Sequence, residues 1–233
     1  MLCLGFTTNL LGSHAFFNDL CSFSSKCIVW GYGFLKYYSE RRFFIGGEDI
    51  ISTNIYLVRH AHSIYTPDEI GRPLSPKGIK DAGKAKEILL GMDITVIISS
   101  PYARAIQTVQ GLYDELGCVF EIWDELRERK ISKEPVKDFN AAMDMLWGDY
   151  NFSFEGGESN QVAQLRGIKG INKVLDKFEG ENIVIGTHGN IMVLIMNYFD
   201  NNYDYSFWKQ LKMPDIYKLS FKSGKIKEIA HVK

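Results

Sequence analysis

Short apolar runs that end in polar residues recur along this chain and predict a parallel sheet. Residues 54–58 are almost continuously apolar, which is typical of a strand covered by helices on both faces. Comparable runs occupy residues 94–98, 118–122 and 183–185. Helical patterns lie between them, so we expect an α/β fold, a three-layer α/β/α sandwich with a doubly wound, mostly parallel sheet.

The helices are marked by capping residues and by apolar faces. Ser75 and Pro76 begin a helix whose apolar face extends to Leu89, and Gly91 ends it. Further helices are predicted over residues 101–116, 136–147, 159–178 and 191–198. A terminal hairpin is predicted over residues 216–221 and 226–231.

Residues 1–52 do not share this pattern, because neither helical nor strand periodicity persists in them. The segment also lacks the positively charged start and the small-residue cleavage site of a signal peptide. It is either a poorly ordered N-terminal extension or extraneous to the mature protein. We therefore expect one domain over residues 53–233.

Composition narrows the classes of function. The chain has 233 residues, and its hydrophobic content of 45% is ample for a core. The formal net charge of −1 excludes a general attraction to nucleic acid or to an anionic membrane. No run of 18 apolar residues occurs, so no membrane span is predicted. The four cysteines show neither zinc spacing nor a disulfide framework, and we expect a cytoplasmic protein whose oligomeric state is open.

Basic side chains stand where three of the predicted strands end. Arg59 and His60 follow the first strand, Arg104 begins the helix after the second, and His188 follows the last. Ligands of open α/β sheets bind beyond the carboxyl ends of the strands, so these residues are expected to share one crevice. Because the arginine fork binds two oxygens at once, the pattern predicts a phosphate site. A structural ion pair is the alternative for any one of these residues.

Acidic residues follow the third predicted strand. Residues 124–129 form a dense charge cluster, which is usually a solvated face. Its position after a strand nevertheless allows one carboxylate to enter the crevice. Glu158 stands before a predicted helix, where a carboxylate interacts favourably with the helix dipole.

Four motifs in this order resemble those of the histidine phosphatase superfamily, also called the phosphoglycerate mutase-like family. Arg59-His60-Ala-His-Ser63 resembles its Arg-His-Gly motif, and the stretch from residue 99 to 108 resembles its second motif. Gly156-Gly-Glu-Ser159 and Thr187-His188-Gly189 resemble two more. The resemblance covers about residues 53–221 and implies the phosphoglycerate mutase-like fold.

The resemblance also implies a metal-independent histidine acid phosphatase that hydrolyses a phosphomonoester through a phosphohistidine on His60. Flanking cations disfavour the imidazolium and so keep this imidazole nucleophilic. Leu126-Arg-Glu128 resembles the family's Leu-Arg-Glu signature, so the proton donor is assigned to Glu128, with Glu125 as the fallback. No cofactor is expected, and the partner is a small phosphorylated substrate. The implied catalytic residues are His60, Glu128, His188, Arg59 and Arg104, and the implied substrate contacts are His62, Ser63, Arg72 and Gly189.

Departures from the family pattern favour a phosphatase over a mutase. Ala61 replaces the glycine after the nucleophile, and His62 stands where glutamate or glutamine is frequent. Residues 64–68 contain no equivalent of the asparagine that mutases place after the first motif. The two histidines at 60 and 188 are also only 128 residues apart, a separation that resembles the compact phosphatases.

Three alternatives stay open beside the phosphatase. Phosphoglycerate mutase-type phosphoryl transfer is one, and a non-catalytic module that binds a phosphorylated ligand is another. A zinc hydrolase is the third, because His60 and His62 have the His-x-His spacing of some zinc sites. The substrate itself is not predicted, since the presumed specificity loops at 64–74 and 128–155 carry mixed charges and aromatics.

Overall fold

Six strands form one mixed sheet in the computed structural model, which describes residues 51–233. Their order across the sheet is β3-β2-β4-β1-β5-β6. The first four in this order are parallel, and β5 and β6 form an antiparallel hairpin at one edge. The strands are β1 (Ser52–Arg59), β2 (Val96–Ser99), β3 (Val119–Ile122), β4 (Asn182–Thr187), β5 (Asp215–Lys222) and β6 (Lys225–His231).

Six α-helices connect and cover these strands within the described residues. Ser75 and Ser159 cap two of them through their side chains, as their sequence positions predict. The helices are α1 (Pro76–Leu90), α2 (Ala103–Leu116), α3 (Phe139–Gly148), α4 (Asn160–Lys177), α5 (Gly189–Phe199) and α6 (Tyr205–Gln210), and a 3-10 turn covers Asp124–Leu126.

The predicted three-layer sandwich is confirmed by the packing on the two faces of the sheet. Along β1, Ile55 and Leu57 join a core cluster with α3, α4 and α5. Tyr56 and Val58 point to the other face and pack with α1 and α2. Both faces are therefore covered, which is why the strand is apolar at consecutive positions.

Two helices differ from the sequence expectation. The helix expected from residue 136 begins at Phe139, because the Asp138 side chain accepts a hydrogen bond from Ala141 N and caps the first turn. Helix α6 was not predicted, since its six residues are too few to show a periodicity.

The register of β1 and β4 aligns the ends of two parallel strands. Arg59 pairs with Thr187, and His60 N donates to Thr187 O at 2.9 Å. The Arg59-His60 and Thr187-His188 motifs therefore lie side by side at the same edge of the sheet.

Of the N-terminal segment predicted over 1–52, all but the last two residues lie outside the described part of the chain. No helix among residues 51–233 is sufficiently long and apolar to cross a membrane.

Candidate active site

The two histidines at the strand ends lie next to each other. The ring centroids of His60 and His188 are 5.2 Å apart, in an edge-to-face arrangement. The first ring is 8% exposed and the second is fully buried. The sequence expectation that these strand ends share one crevice therefore agrees with the geometry.

His60 has a defined hydrogen-bonding state. Its Nδ1 lies 2.7 Å from Ala61 O, so this nitrogen carries the proton and donates it to the carbonyl. Its Nε2 accepts a hydrogen bond from Arg104 Nε at 3.2 Å, which requires an unprotonated Nε2. Burial, helped by Arg104 and Arg59, lowers the pKa of this imidazole from 6.5 to about 3. The ring is therefore neutral near pH 7, with a lone pair on Nε2.

Two arginines flank this imidazole from different elements. Arg104, on the first turn of α2, is 1% exposed and contacts His60 directly. Arg59 ends β1, and its Nη1 donates to Leu211 O at 2.6 Å and to Lys212 O at 3.2 Å. A Cβ at Gly189 would lie only 3.0–3.2 Å from the Arg59 guanidinium, so glycine at this position lets the arginine lie against α5.

His188 is oriented by the loop after β2. Its Nε2 lies 2.7 Å from Ser100 Oγ, and the same oxygen accepts a hydrogen bond from Tyr102 N at 3.2 Å. The hydroxyl can donate its proton to Nε2, and in that tautomer the imidazole proton lies on Nδ1. Burial lowers the pKa of His188 well below its usual range. In this tautomer, Nδ1–H is a neutral donor beside the His60 ring.

Arg72 returns to this cluster from the loop that follows β1. Its Nη2 donates to Glu69 Oε1 at 3.0 Å, and the same carboxylate oxygen accepts from Arg104 Nη2 at 3.0 Å. The positive charge of Arg72 helps to lower the pKa of His60 and of His188. It therefore lies with the other basic residues, as its predicted role requires.

The Glu128 carboxylate lies at the N-terminus of α5. It accepts hydrogen bonds from Asn190 N and Ile191 N, both at 3.1 Å, and from Arg129 N at 2.8 Å. Helix N-termini and backbone N–H groups stabilise negative charge. Since the helix follows His188 directly, this carboxylate is brought to the same end of the sheet as the two histidines.

The segment that carries Glu128 is held by an ion-pair network. Glu158 binds Arg127 at 3.0 Å and Arg166 at 2.9 Å through its two oxygens. Arg166 in turn donates to the backbone carbonyls of Glu125 and Arg127. Glu158 was expected to act on the helix dipole, and its observed contacts instead join α4 to the turn before Glu128. The Glu125 side chain pairs with Lys173 of α4 at 3.5 Å.

Several buried nitrogens around the histidines have no hydrogen-bond partner within residues 51–233. They are Arg59 Nε, Arg72 Nε and His188 Nδ1. Buried polar groups in proteins are normally paired, and each unpaired group costs about 1–3 kcal/mol. Three potential donors gathered around the two histidines fit an anion with several oxygens.

The observed contacts of two predicted substrate-binding residues lie at the start of α1 and in the loop before it. His62 is exposed, and its Nδ1 lies 2.8 Å from Ser75 Oγ at the start of α1. Ser63 forms an antiparallel bridge with Leu74. Sequence reasoning missed the roles of Ser100 and Glu69. Ser100 belongs to the second motif, so its position beside a strand end was the available signal, whereas Glu69 gave none.

The sequence that carries this site also matches a known protein-family model. The model of the histidine phosphatase superfamily, branch 1, matches residues 55–230. The chain belongs to the histidine phosphatase superfamily. This match includes all four motifs and confirms the resemblance of the sequence to that family.

Solved structures with the same fold are distant in sequence. A mycobacterial glucosyl-3-phosphoglycerate phosphatase is 20% identical, with a TM-score of 0.61 over 72% of this chain and 90% of its own. The YhfR protein of Bacillus stearothermophilus is 20% identical, with a TM-score of 0.63 over 75% and 94%. A mutant phosphoserine phosphatase of Entamoeba histolytica, in complex with phosphoserine, is 17% identical, with a TM-score of 0.63 over 78% and 97%. No curated protein matches the sequence significantly.

Proposed function

We propose that this protein is a phosphatase that hydrolyses a small phosphomonoester through a phosphohistidine on His60. The observation that carries the proposal is the state of this imidazole. Its Nδ1 proton is held by Ala61 O, and its Nε2 lone pair faces the Arg104 guanidinium. A nucleophile for phosphorus needs such a lone pair, and a transferring phosphoryl group needs such a cation.

In the first step, His60 Nε2 attacks phosphorus and the bond from phosphorus to the ester oxygen breaks. Arg59, Arg104 and the Nδ1–H of His188 bind the phosphoryl oxygens, whose charge spreads in the transition state. Arg104 and His188 are buried, which strengthens these interactions because the effective dielectric constant there is lower than in water. The phosphoryl group is then covalently attached to His60.

The leaving oxygen receives its proton from Glu128 in this proposal. The backbone N–H groups of Asn190 and Ile191 stabilise the carboxylate that remains after the transfer. In the second step, water attacks phosphorus and gives a proton to Glu128, and the bond from phosphorus to Nε2 breaks. Inorganic phosphate leaves, and both residues return to their starting states.

The geometry favours this function over the alternatives. A dication bound between His60 and His62 would lie beside the Arg104 guanidinium, which repels it, and the two imidazoles face different partners. A module that only binds phosphate has no need for a buried, neutral histidine with an unprotonated Nε2. The compact chain between the two histidines favours hydrolysis over mutase-type transfer, and we propose no metal or cofactor.

The test is rapid-quench trapping of the phosphoenzyme with an aryl phosphate, in the wild-type chain and in three variants. His60→Ala should abolish both turnover and acid-labile phosphate incorporation. Glu128→Gln should retain the phosphoenzyme and lose about 10²–10⁴-fold in turnover of alkyl phosphates. The loss should be smaller for an aryl phosphate, because its leaving group needs less help from a proton.

Glu125→Gln is the matched control, since it makes the same change three residues upstream, where the carboxylate faces Lys173. It should behave as the wild type. A phosphoenzyme that persists in His60→Ala would overturn the assignment of the nucleophile. A large loss in Glu125→Gln together with none in Glu128→Gln would move the proton donor to Glu125.

A further inference from the structure

The Glu69 carboxylate already binds two of the arginines in the proposed phosphate site. Glu69 Oε1 is 3.0 Å from Arg104 Nη2 and 3.0 Å from Arg72 Nη2. The backbone carbonyl of Glu69 accepts a second hydrogen bond from Arg104, at 2.7 Å. One anionic oxygen thus bridges two arginines, an arrangement in which guanidinium groups also bind phosphate.

The loop that carries Glu69 is fixed locally. Asp68 Oδ1 accepts hydrogen bonds from Ile70 N at 3.1 Å and Gly71 N at 3.0 Å. Ile70 O accepts from Ala103 N at 2.8 Å, which docks the loop on the start of α2. The Glu69 carboxylate is therefore presented to the arginines by a built turn and not by chance rotation of a surface side chain.

The positive charge around the nucleophile is reduced as a result. Three arginines, at 59, 72 and 104, are opposed by the carboxylate of Glu69, because Glu128 enters the proposed reaction protonated and neutral. Two positive charges are left over, and a phosphomonoester, which brings up to two negative charges, uses both. A second anionic group on the same substrate has no cation left within this set of residues.

We infer that Glu69 is a specificity-determining residue that selects phosphomonoesters whose alcohol part carries no further negative charge. A phosphate held by Arg104 lies within about 6 Å of this carboxylate, because both bind the same guanidinium. Like charges at that separation repel appreciably even at a high effective dielectric constant. The Glu69 side chain is 52% exposed, whereas that of Arg104 is 1% exposed, so the carboxylate lies on the solvent side of the guanidinium that it binds.

This inference rests on the proposed function and deepens it, since it concerns the same phosphate site. The exposure of Glu69 limits the size of its effect on specificity, because water and salt screen a half-exposed carboxylate. We therefore expect Glu69 to change relative specificity by about tenfold, which corresponds to about 1.4 kcal/mol.

The test compares glycerol 3-phosphate with 3-phosphoglycerate, which differ by a hydroxymethyl group and a carboxylate. The wild type should prefer glycerol 3-phosphate, measured as kcat/KM. Glu69→Gln should reduce this preference about tenfold. It should also increase the affinity for inorganic phosphate, measured by calorimetry, by a similar factor. Glu69→Asp retains the charge and should stay within about threefold of the wild type in both measurements. Glu87→Gln removes an exposed carboxylate of α1 that pairs with Lys86, and it should change neither.

The outcomes separate specificity from a merely structural role. If Glu69 only holds the arginines in place, Glu69→Gln will weaken phosphate binding and slow both substrates alike, which would overturn the inference. An unchanged substrate preference in Glu69→Gln would also overturn it. If the wild type hydrolyses neither substrate, the aryl phosphate assay decides whether the proposed function fails. The phosphate affinities of Glu69→Gln and the wild type then still decide the inference, and equal affinities or no binding to either would reject it.

Discussion

Burial of His60 as a neutral imidazole makes the folded state sensitive to acid. The pKa of this group is about 3 in the folded chain and 6.5 in its ordinary state. The unfolded chain therefore binds a proton as the pH falls below 6.5, whereas the folded chain does not bind it until about pH 3. The contribution of the neutral ring to the free energy of unfolding is fully present above pH 6.5. It declines as the pH falls from 6.5 towards the folded-state pKa of about 3.

The size of the effect follows from the two pKa values. At pH 7.5 His60 is mostly unprotonated in both the folded and the unfolded chain, so its protonation changes the free energy of unfolding by close to zero. At pH 5.0 protonation of His60 in the unfolded chain lowers the free energy of unfolding by about 2 kcal/mol. His188 acts in the same direction, because burial lowers its pKa as well.

The assay is urea unfolding at pH 7.5 and pH 5.0 in buffers free of phosphate, because bound phosphate would stabilise the folded state. His60→Gln should lose less stability between the two pH values than the wild type does, by about 2 kcal/mol. His188 is present in both chains, and burial, the main cause of its lowered pKa, acts on it in both.

Thr108→Val provides a control of similar depth. Thr108 Oγ1 accepts a hydrogen bond from Ala61 N, next to His60, and the substitution removes this contact without removing a titrating group. It should lower stability at both pH values and leave the difference between them as in the wild type. Equal acid-induced losses in the wild type and in His60→Gln would refute the argument that the buried ring is neutral.

Two further predictions concern the chemistry and the extent of the domain. EDTA should leave turnover intact and vanadate should inhibit it, since Arg59, Arg104 and His188 supply the binding groups for the phosphoryl oxygens; activity that is lost in EDTA and restored by zinc would revive the zinc hydrolase. A shortened chain that starts at Ser52, the first residue of β1, should keep the activity and the melting temperature of the full chain, whereas a decrease of about 5 °C or more would make residues 1–51 an integral part of the fold.

The framework of the site was predictable because it depends on strand ends. A buried parallel strand is recognisable from a short apolar run, and the carboxyl ends of such strands meet at one edge. His60, Arg104 and His188 each follow or nearly follow such a run, so their proximity needs no knowledge of the loops. The long helices were predictable for a similar reason, since Ser75 and Ser159 stand at their caps.

Contacts that depend on loop paths were not predictable. Glu69 reaches Arg104 because Ile70 O bonds to Ala103 N across 33 residues of chain, and no local pattern encodes this contact. Glu158 was assigned to a helix dipole because its two arginine partners cannot be recognised from spacing alone. Helix α6 was missed because one capping residue, Asp204, is its main local signal.

The position of β1 in the sheet has a consequence for how the chain folds. Among the described strands, β1 pairs with β4 on one side and with β5 on the other. Asn54 and its β4 neighbour Asn182 are separated by 128 residues, so neither side of the strand can be closed by a local hairpin. At about 5–20 residues per second, a ribosome needs roughly 6–25 s to produce that stretch.

Throughout this interval the strand that precedes His60 has two open edges and an apolar sequence. Such edges are sites of non-native pairing, and contacts of long sequence separation form slowly. The nascent chain therefore depends on helices α1 and α2 to cover one face of β1 early, through Tyr56 and Val58. Completion of the sheet edge that brings His60 and His188 together must await β4, which places it among the last events of folding during synthesis.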